Sequence, residues 1–150
     1  MPRLSCWFIR AALLHLALGS VLGGLILSAK GLPSALGWAW LLLPAHIQLM
    51  VGGWLVQLTL GVAYWMLPRL NGAGERGRKK AAWASWAALN IGVLGAAGGL
   101  ALRPFWSTAW LDALLVVLAL LQFLALATFS WHAWPRVAPL TLPQVGEKAA

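Results

Sequence analysis

Charged residues are scarce in this chain of 150 residues: only 9% are Asp, Glu, Lys or Arg, and only three of them are acidic. Soluble domains carry about 25% charged residues, because their surface must face water. Apolar residues make up 61% of the chain instead. This balance excludes a soluble or disordered domain and indicates an integral membrane protein.

Residues typical of catalytic or metal-binding sites are also scarce. The single cysteine, Cys6, excludes an internal disulfide and a multi-cysteine metal site. The sequence contains no paired carboxylates and no glycine-rich phosphate loop, so nothing supports a hydrolase or a nucleotide-dependent enzyme. The ionisable residues within apolar segments are few: His15, His46, His132 and Asp112. Because ionisable groups inside a membrane span are costly, these four are candidates for function.

Four apolar segments are each long enough to cross the hydrocarbon core of a membrane, which takes about 20 helical residues. These segments are 11–29, 43–67, 81–102 and 108–131. The apolar runs are continuous rather than alternating, so we predict helices and not a β-barrel. The expected fold is all-α, an antiparallel up-down bundle of four transmembrane helices over 1–135. A flexible cytoplasmic tail is expected over 136–150.

The basic residues are distributed unevenly between the two ends of this bundle. Nine of the eleven lie in the tails or in the loop between the second and third spans, and only Lys30 and Arg103 lie in the other loops. By the positive-inside rule, both termini are expected in the cytoplasm, and the location is a bacterial-type inner membrane. The net charge of +8 is then a topology signal, and no nucleic-acid partner is expected.

His46 stands near the start of the second span. Residues at helical spacing from it form one face of that span: Met50, Gly53, Gln57, Gly61 and Tyr64. Gly53, two turns below the imidazole, leaves a flat gap that suits a planar ligand such as haem. The alternative is a histidine that is hydrogen-bonded to a backbone carbonyl at a helix interface.

The sequence around His46 reads AHIQLMVGGW over 45–54 and GVAYWMLPR over 61–69. It resembles the second helix of subunit I in the haem-copper oxidase and nitric oxide reductase superfamily. There, an Ala-His near the outer face is followed by a glycine-rich middle and a closing Gly-x3-Trp-x2-Pro. The resemblance implies that His46 is an axial ligand of a b-type haem. It also implies that Arg103 faces the haem propionates. Trp106, in the same loop, is a further candidate donor to them through its indole N–H. An arginine that only reaches water at the interface is the alternative for Arg103.

The chain also departs from that family. The oxidase subunit has many more helices and holds a copper and a second haem on further histidines, whereas this chain has three histidines in all. One copy therefore cannot build the binuclear centre, no copper is expected, and the chain is not an oxidase or nitric oxide reductase by itself.

Because the family's helices fall into groups of four, this chain resembles one such group. The resemblance implies a homo-oligomer in which His46 from two protomers ligates one haem, with a dimer favoured over a trimer. The pairs Gly19/Gly23 and Gly95/Gly99 allow the close helix packing that such association needs.

His15 and His132 form a second candidate site for haem or a metal, although each is also explained as a hydrogen-bonded interfacial histidine. Asp112 is expected to pair with Arg103.

The main hypothesis is a membrane haem protein acting in electron transfer or gas binding, beside a respiratory-chain partner. Two histidine ligands would close the iron's coordination, and one would leave it open to a gas. The competing hypothesis is a cofactor-free accessory or assembly subunit of a respiratory oxidase. A transporter has little support, because the spans contain almost no buried charge.

Overall fold

The computed structural model describes residues 1–69 and 77–137. Four long helices account for most of them: α1 (Arg3–Gly31), α2 (Pro33–Met66), α3 (Lys79–Leu102) and α4 (Ala109–Arg136). Each helix is long and apolar enough to cross a membrane, and the described residues contain no strand, which confirms the all-α prediction. The predicted tail (136–150) lies outside the described residues after Val137.

Helix α1 begins at Arg3, well before the predicted start at residue 11. Packing explains the early start, because Leu4 and Phe8 are buried in the core of the bundle. Arg10 interrupts the apolar sequence but not the helix, and its side chain is exposed. Long cationic side chains can extend from a helix towards water, so an arginine need not mark a helix end.

Helix α2 is not uniform along its length. It begins with a short α-helical turn and a 3-10 segment (Gly37–Leu42), and then continues as α-helix over Leu43–Gln48. The middle, Leu49–Val56, is π-helical, and regular α-helix resumes over Gln57–Met66. A π-helical turn contains more residues than an α-helical turn, so it changes which residues share a face. This irregular middle contains the glycine pair Gly52 and Gly53.

Consecutive helices run antiparallel, as side-chain hydrogen bonds between them show. From α1 to α2, Ser5 Oγ donates to the Gly61 carbonyl at 2.6 Å, whereas His46 near the other end of α2 contacts Gly19. From α3 to α4, Ser85 Oγ donates to the Ala125 carbonyl at 2.7 Å. Together with the Arg136 hydrogen bonds to carbonyls at the end of α2 and the Arg103–Asp112 ion pair at the other end, these pairings place the start of α1, the end of α2, the start of α3 and the end of α4 at one end of the bundle. We call it the basic end, after its bases: Arg3, Arg69, Arg78, Lys79, Lys80 and Arg136.

The buried core is small and the outer surface is strongly apolar. The core includes Phe8, Leu89, Val93 and Phe129, and the Phe8 and Phe129 rings meet edge to face with centroids 5.9 Å apart. Large apolar side chains such as Leu14 and Phe123 are instead two-thirds exposed. In a membrane protein, such side chains face lipid, so their exposure costs nothing there.

Gly92 makes the α3–α4 contact possible, and its substitution tests that contact. A Cβ atom at Gly92 would lie 2.5 Å from Gln122 Cγ and 3.2 Å from the Leu118 carbonyl oxygen. We expect Gly92→Ala to cost about 1–3 kcal/mol of stability, as overpacking does elsewhere. The measurement is the midpoint of thermal unfolding of the detergent-solubilised protein, followed by circular dichroism.

Gly98→Ala is the matched control on the same helix, because a Cβ atom there would meet nothing within 4 Å. This variant should unfold at the wild-type temperature or slightly above it, since alanine favours helix over glycine. Equal effects of the two substitutions would contradict the close packing at Gly92.

Candidate functional site

His46 lies in the α1–α2 interface and faces the backbone of α1. Its Nδ1 atom is 2.8 Å from the Gly19 carbonyl oxygen. The ring lies against Gly23, where a Cβ atom would come within 2.8 Å of His46 Cε1. The small-residue pair of α1 therefore provides the space for the imidazole, and its first member provides the hydrogen-bond acceptor.

The hydrogen bond to Gly19 fixes where the proton of a neutral His46 lies. A carbonyl oxygen can only accept, so Nδ1 must carry the hydrogen. The lone pair is then on Nε2, which has no hydrogen-bond partner among the described residues and is not enclosed by protein. Histidines that ligate metals are commonly held in this way, with one ring nitrogen donating to a carbonyl and the other left for the metal. The chemistry of the residue therefore fits an axial haem ligand.

From His46 towards the basic end, the α1–α2 interface is filled by side chains of the same chain. The gap predicted at Gly53 is filled by His15, whose Cβ and Cγ atoms would each lie 2.7 Å from a Cβ atom at Gly53. Met50 packs against Gly19, where its sulfur would lie 2.7 Å from an added Cβ atom. A planar ligand on His46 has no room at Gly53 in this arrangement and must lie at the edge of the α1–α2 pair.

One edge of that pair is open and apolar. On α1, Gly24 has no atom within 4 Å of the place where a Cβ would be, and Leu27 is 64% exposed. On α2, Ile47 and Val51, which follow His46 and Met50 in the chain, are about half exposed. We call these exposed apolar residues (Gly24, Leu27, Ile47 and Val51) the open flank, and the half-buried His46 directly precedes Ile47 in the chain.

Arg103 and Trp106 lie in the turn between α3 and α4. Arg103 Nε is 2.8 Å from Asp112 Oδ1, and both side chains are about half exposed, so the expected pairing forms at the surface. Arg103 also lines a cavity of about 460 Å³ together with Trp40 and Pro44. Pro44 lies two residues before His46 in the sequence. Trp106 is 63% exposed and lines no part of this cavity among the described residues.

His15 and His132 are both buried, each with 2% of its surface exposed, but they lie in different places. His15 packs at Gly53 of α2. His132 stacks on Tyr64 of α2, with ring centroids 5.6 Å apart. Gly53 and Tyr64 are about 16 Å apart along a helix, since each residue adds about 1.5 Å. The structure therefore does not bring these histidines together, and no cluster of three or more metal-ligating side chains is found within the described residues.

Arg136 has a role that the sequence analysis did not identify. Its guanidinium donates to three carbonyls at the end of α2, those of Tyr64 (3.1 Å), Leu67 (2.7 Å) and Pro68 (3.0 Å). It also faces the Tyr64 ring at 5.4 Å and is 1% exposed. The last carbonyls of a helix lack intrahelical donors, and a cation there is favoured by the helix dipole. In the sequence, Arg136 was counted only as a topology signal, and no local pattern marks it as a cap of another helix.

The chain was compared with protein-family models, with curated proteins and with solved structures, and nothing matched in any of the three comparisons.

Replacing Arg136 should weaken the contact between the end of α4 and the end of α2. Arg136→Met keeps an unbranched side chain but leaves the three carbonyls without their donor. We expect a loss of about 3 kcal/mol, since breaking a buried charged network commonly costs that much. The measurement is the unfolding midpoint in detergent. Arg69→Met is the control, because Arg69 is an exposed arginine at the same end, and it should leave the midpoint unchanged. A similar midpoint for both variants would refute the capping role.

Proposed function

We propose that this protein binds a b-type haem in the membrane, with His46 as an axial ligand. The observation that carries the proposal is the 2.8 Å hydrogen bond from Nδ1 to the Gly19 carbonyl. It holds the ring in one orientation and leaves the Nε2 lone pair available to a ligand. The resemblance of 45–54 and 61–69 to the haem-ligating helix of the haem-copper oxidase superfamily points to the same residue.

A second imidazole for the same haem would have to come from another copy of the chain. The chain has three histidines, and the other two are buried against Gly53 and Tyr64. Two copies related by a two-fold axis would each offer His46 beside the same apolar flank. The proposal is therefore a homodimer with one haem between two His46 side chains, and a trimer is the alternative assembly.

Haem supplies a redox-active iron when it is bound, and its coordination decides its use. With His46 from two protomers, the protein would carry electrons and exchange them with a respiratory-chain partner. With one His46, it would bind a small gas. Arg103 lines the cavity beside Pro44, which suits it to meet a haem propionate in either case. Since three histidines cannot complete a haem–copper centre as well, we do not propose oxygen or nitric oxide reduction by this chain alone.

The optical spectrum of the purified protein tests the haem proposal. Wild-type protein expressed with a haem supply should show a Soret band, and a sharp α-band after reduction with dithionite. His46→Gln should lose both bands, because glutamine can still donate to the Gly19 carbonyl but is not an imidazole ligand. His132→Gln is the control for loss of a histidine elsewhere in the chain and should keep the spectrum.

Imidazole rescue sharpens this test. In His46→Gly, added imidazole can occupy the space beside Gly23 and should restore the Soret band. Carbon monoxide added to the reduced wild-type protein should leave a bis-histidine spectrum unchanged and should shift that of a five-coordinate haem. A colourless wild-type protein that is folded would reject the haem proposal and favour a cofactor-free accessory subunit of an oxidase.

For the orientation, we propose that the basic end faces the cytoplasm of a bacterial-type inner membrane. The distribution of cations supports this, since Arg3, Arg69, Arg78, Lys79, Lys80 and Arg136 are gathered at that end. At the other end, Arg103 is paired with Asp112, and Lys30 lies 5.9 Å from the Trp40 ring.

Reporter fusions test this orientation. A fluorescent protein fused to the C-terminus should be bright, and alkaline phosphatase at the same place should be inactive, because the two reporters mature on opposite sides of the membrane. A fusion in the turn after Arg103 should give the reverse result. The same pattern from both fusion sites would contradict the proposed topology.

A further inference from the structure

A cavity of about 350 Å³ opens at the basic end, between the start of α3 and the end of α4. Its walls include one strong cation, one buried histidine and two tryptophans, and the described lining residues are Gly77, Arg78, Trp131, His132, Trp134 and Pro135. A second depression, of about 520 Å³, shares Gly77 and Arg78 and continues along the first residues of α3. None of the described residues on either wall is acidic.

The start of α3 supplies unpaired backbone donors to this region. The first intrahelical bond there runs from the Ala82 amide to the Arg78 carbonyl, so the amides of 79–81 have no acceptor within the helix. No side chain caps this end, and no acidic residue lies in the first turn. A helix N-terminus with free amides favours an anion.

Cations surround these amides. Arg78, Lys79 and Lys80 line the depression beside the free amides. The Arg78 guanidinium lies 3.8 Å from the centroid of the Trp131 ring, and this cation–π contact holds it at the mouth of the cavity. The position of the Arg78 charge is therefore fixed by its contact with Trp131, in addition to the high local number of cations.

The buried His132 provides independent support for a ligand. Arg136 faces its Nε2 atom at 3.5 Å, and a guanidinium can only donate, so the proton of a neutral ring lies on Nδ1. Nδ1 makes no hydrogen bond of ordinary geometry in the described part of the chain, although His132 is 2% exposed and the Arg78 backbone lies close to it. A buried donor without a well-placed acceptor is uncommon and costly, and an anion in the cavity would be such an acceptor.

We propose that this cavity binds a phosphate group through Arg78, the first amides of α3 and His132. The group belongs either to the headgroup of an anionic phospholipid or to free phosphate. The neighbouring Trp131 and Trp134 are more than half exposed, as tryptophans at the level of lipid headgroups are. The proposal is independent of haem, because the cavity lies at the opposite end of α2 from His46.

Native mass spectrometry of the full chain in detergent tests the proposal. Phosphatidylglycerol, phosphatidylcholine of the same chain length and inorganic phosphate are added separately, and bound adducts are counted. Wild-type protein should retain phosphatidylglycerol in preference to phosphatidylcholine. Arg78→Gln should weaken this retention roughly five- to tenfold, the effect of one cation near an anionic headgroup. Arg78→Lys should keep most of it, and His132→Phe should lose part of it.

Arg69→Gln is the matched control, since it removes one exposed positive charge from the same end without touching the cavity. It should bind as the wild type does. Phosphate binding that depends on Arg78, without a preference between the lipids, would identify free phosphate as the source. An equal loss in the Arg69 and Arg78 variants, or no binding of either phosphate source, would overturn the proposal. If Arg78→Gln does not fold, Lys79→Gln takes its place, because Lys79 also lines the depression at the start of α3.

Discussion

The bundle depends on polar side chains that reach the backbone carbonyls of a neighbouring helix. Hydrocarbon offers no hydrogen-bond partner, so each polar group in a span must find one within the protein. A helical carbonyl already accepts one bond but has a second lone pair to offer. Four of these acceptors belong to residues with little or no side chain: Gly61 for Ser5, Gly19 for His46, Ala125 for Ser85 and Gly92 for Gln122. The same small residues let the helices approach closely enough for the donor to reach.

Two buried polar side chains, His15 and Gln57, do not follow this rule. His15 and Gln57 are buried side by side in the α1–α2 interface, and His15 Nδ1 and both amide atoms of Gln57 have no hydrogen-bond partner among the described residues. They lie at and just below the π-helical part of α2, whose Gly53 gives His15 its space. The π-helical segment, the glycine that makes room for His15, and the unpaired polar atoms of His15 and Gln57 therefore lie at one depth in the bundle. At the basic end, by contrast, a single side chain donates hydrogen bonds to three carbonyls, since Arg136 reaches all of them.

The spans could be predicted because composition alone determines them, and the face of α2 could be predicted because its spacing is helical. What lies against that face could not be predicted. Gly53 suggests an empty surface in the sequence, yet it is a place of close contact, since the gap that suits a flat ligand equally suits His15 from α1. The early start of α1 and the capping by Arg136 were missed for a related reason. Both arise from contacts between residues distant in sequence, and neither changes the local hydropathy pattern.

The two interpretations of His46 are not exclusive. The sequence posed a choice between an imidazole bonded to a carbonyl and an imidazole bonded to iron, but these use different nitrogens. The bond from Nδ1 to Gly19 stabilises the α1–α2 contact, and in the neutral ring it places the proton on Nδ1 and the lone pair on Nε2. A purely structural histidine would need only the first interaction. The second nitrogen is left beside an apolar flank on which Gly24 has no neighbour within 4 Å of an added Cβ. One hydrogen bond therefore packs the two helices and also sets the tautomer that the proposed haem ligation requires.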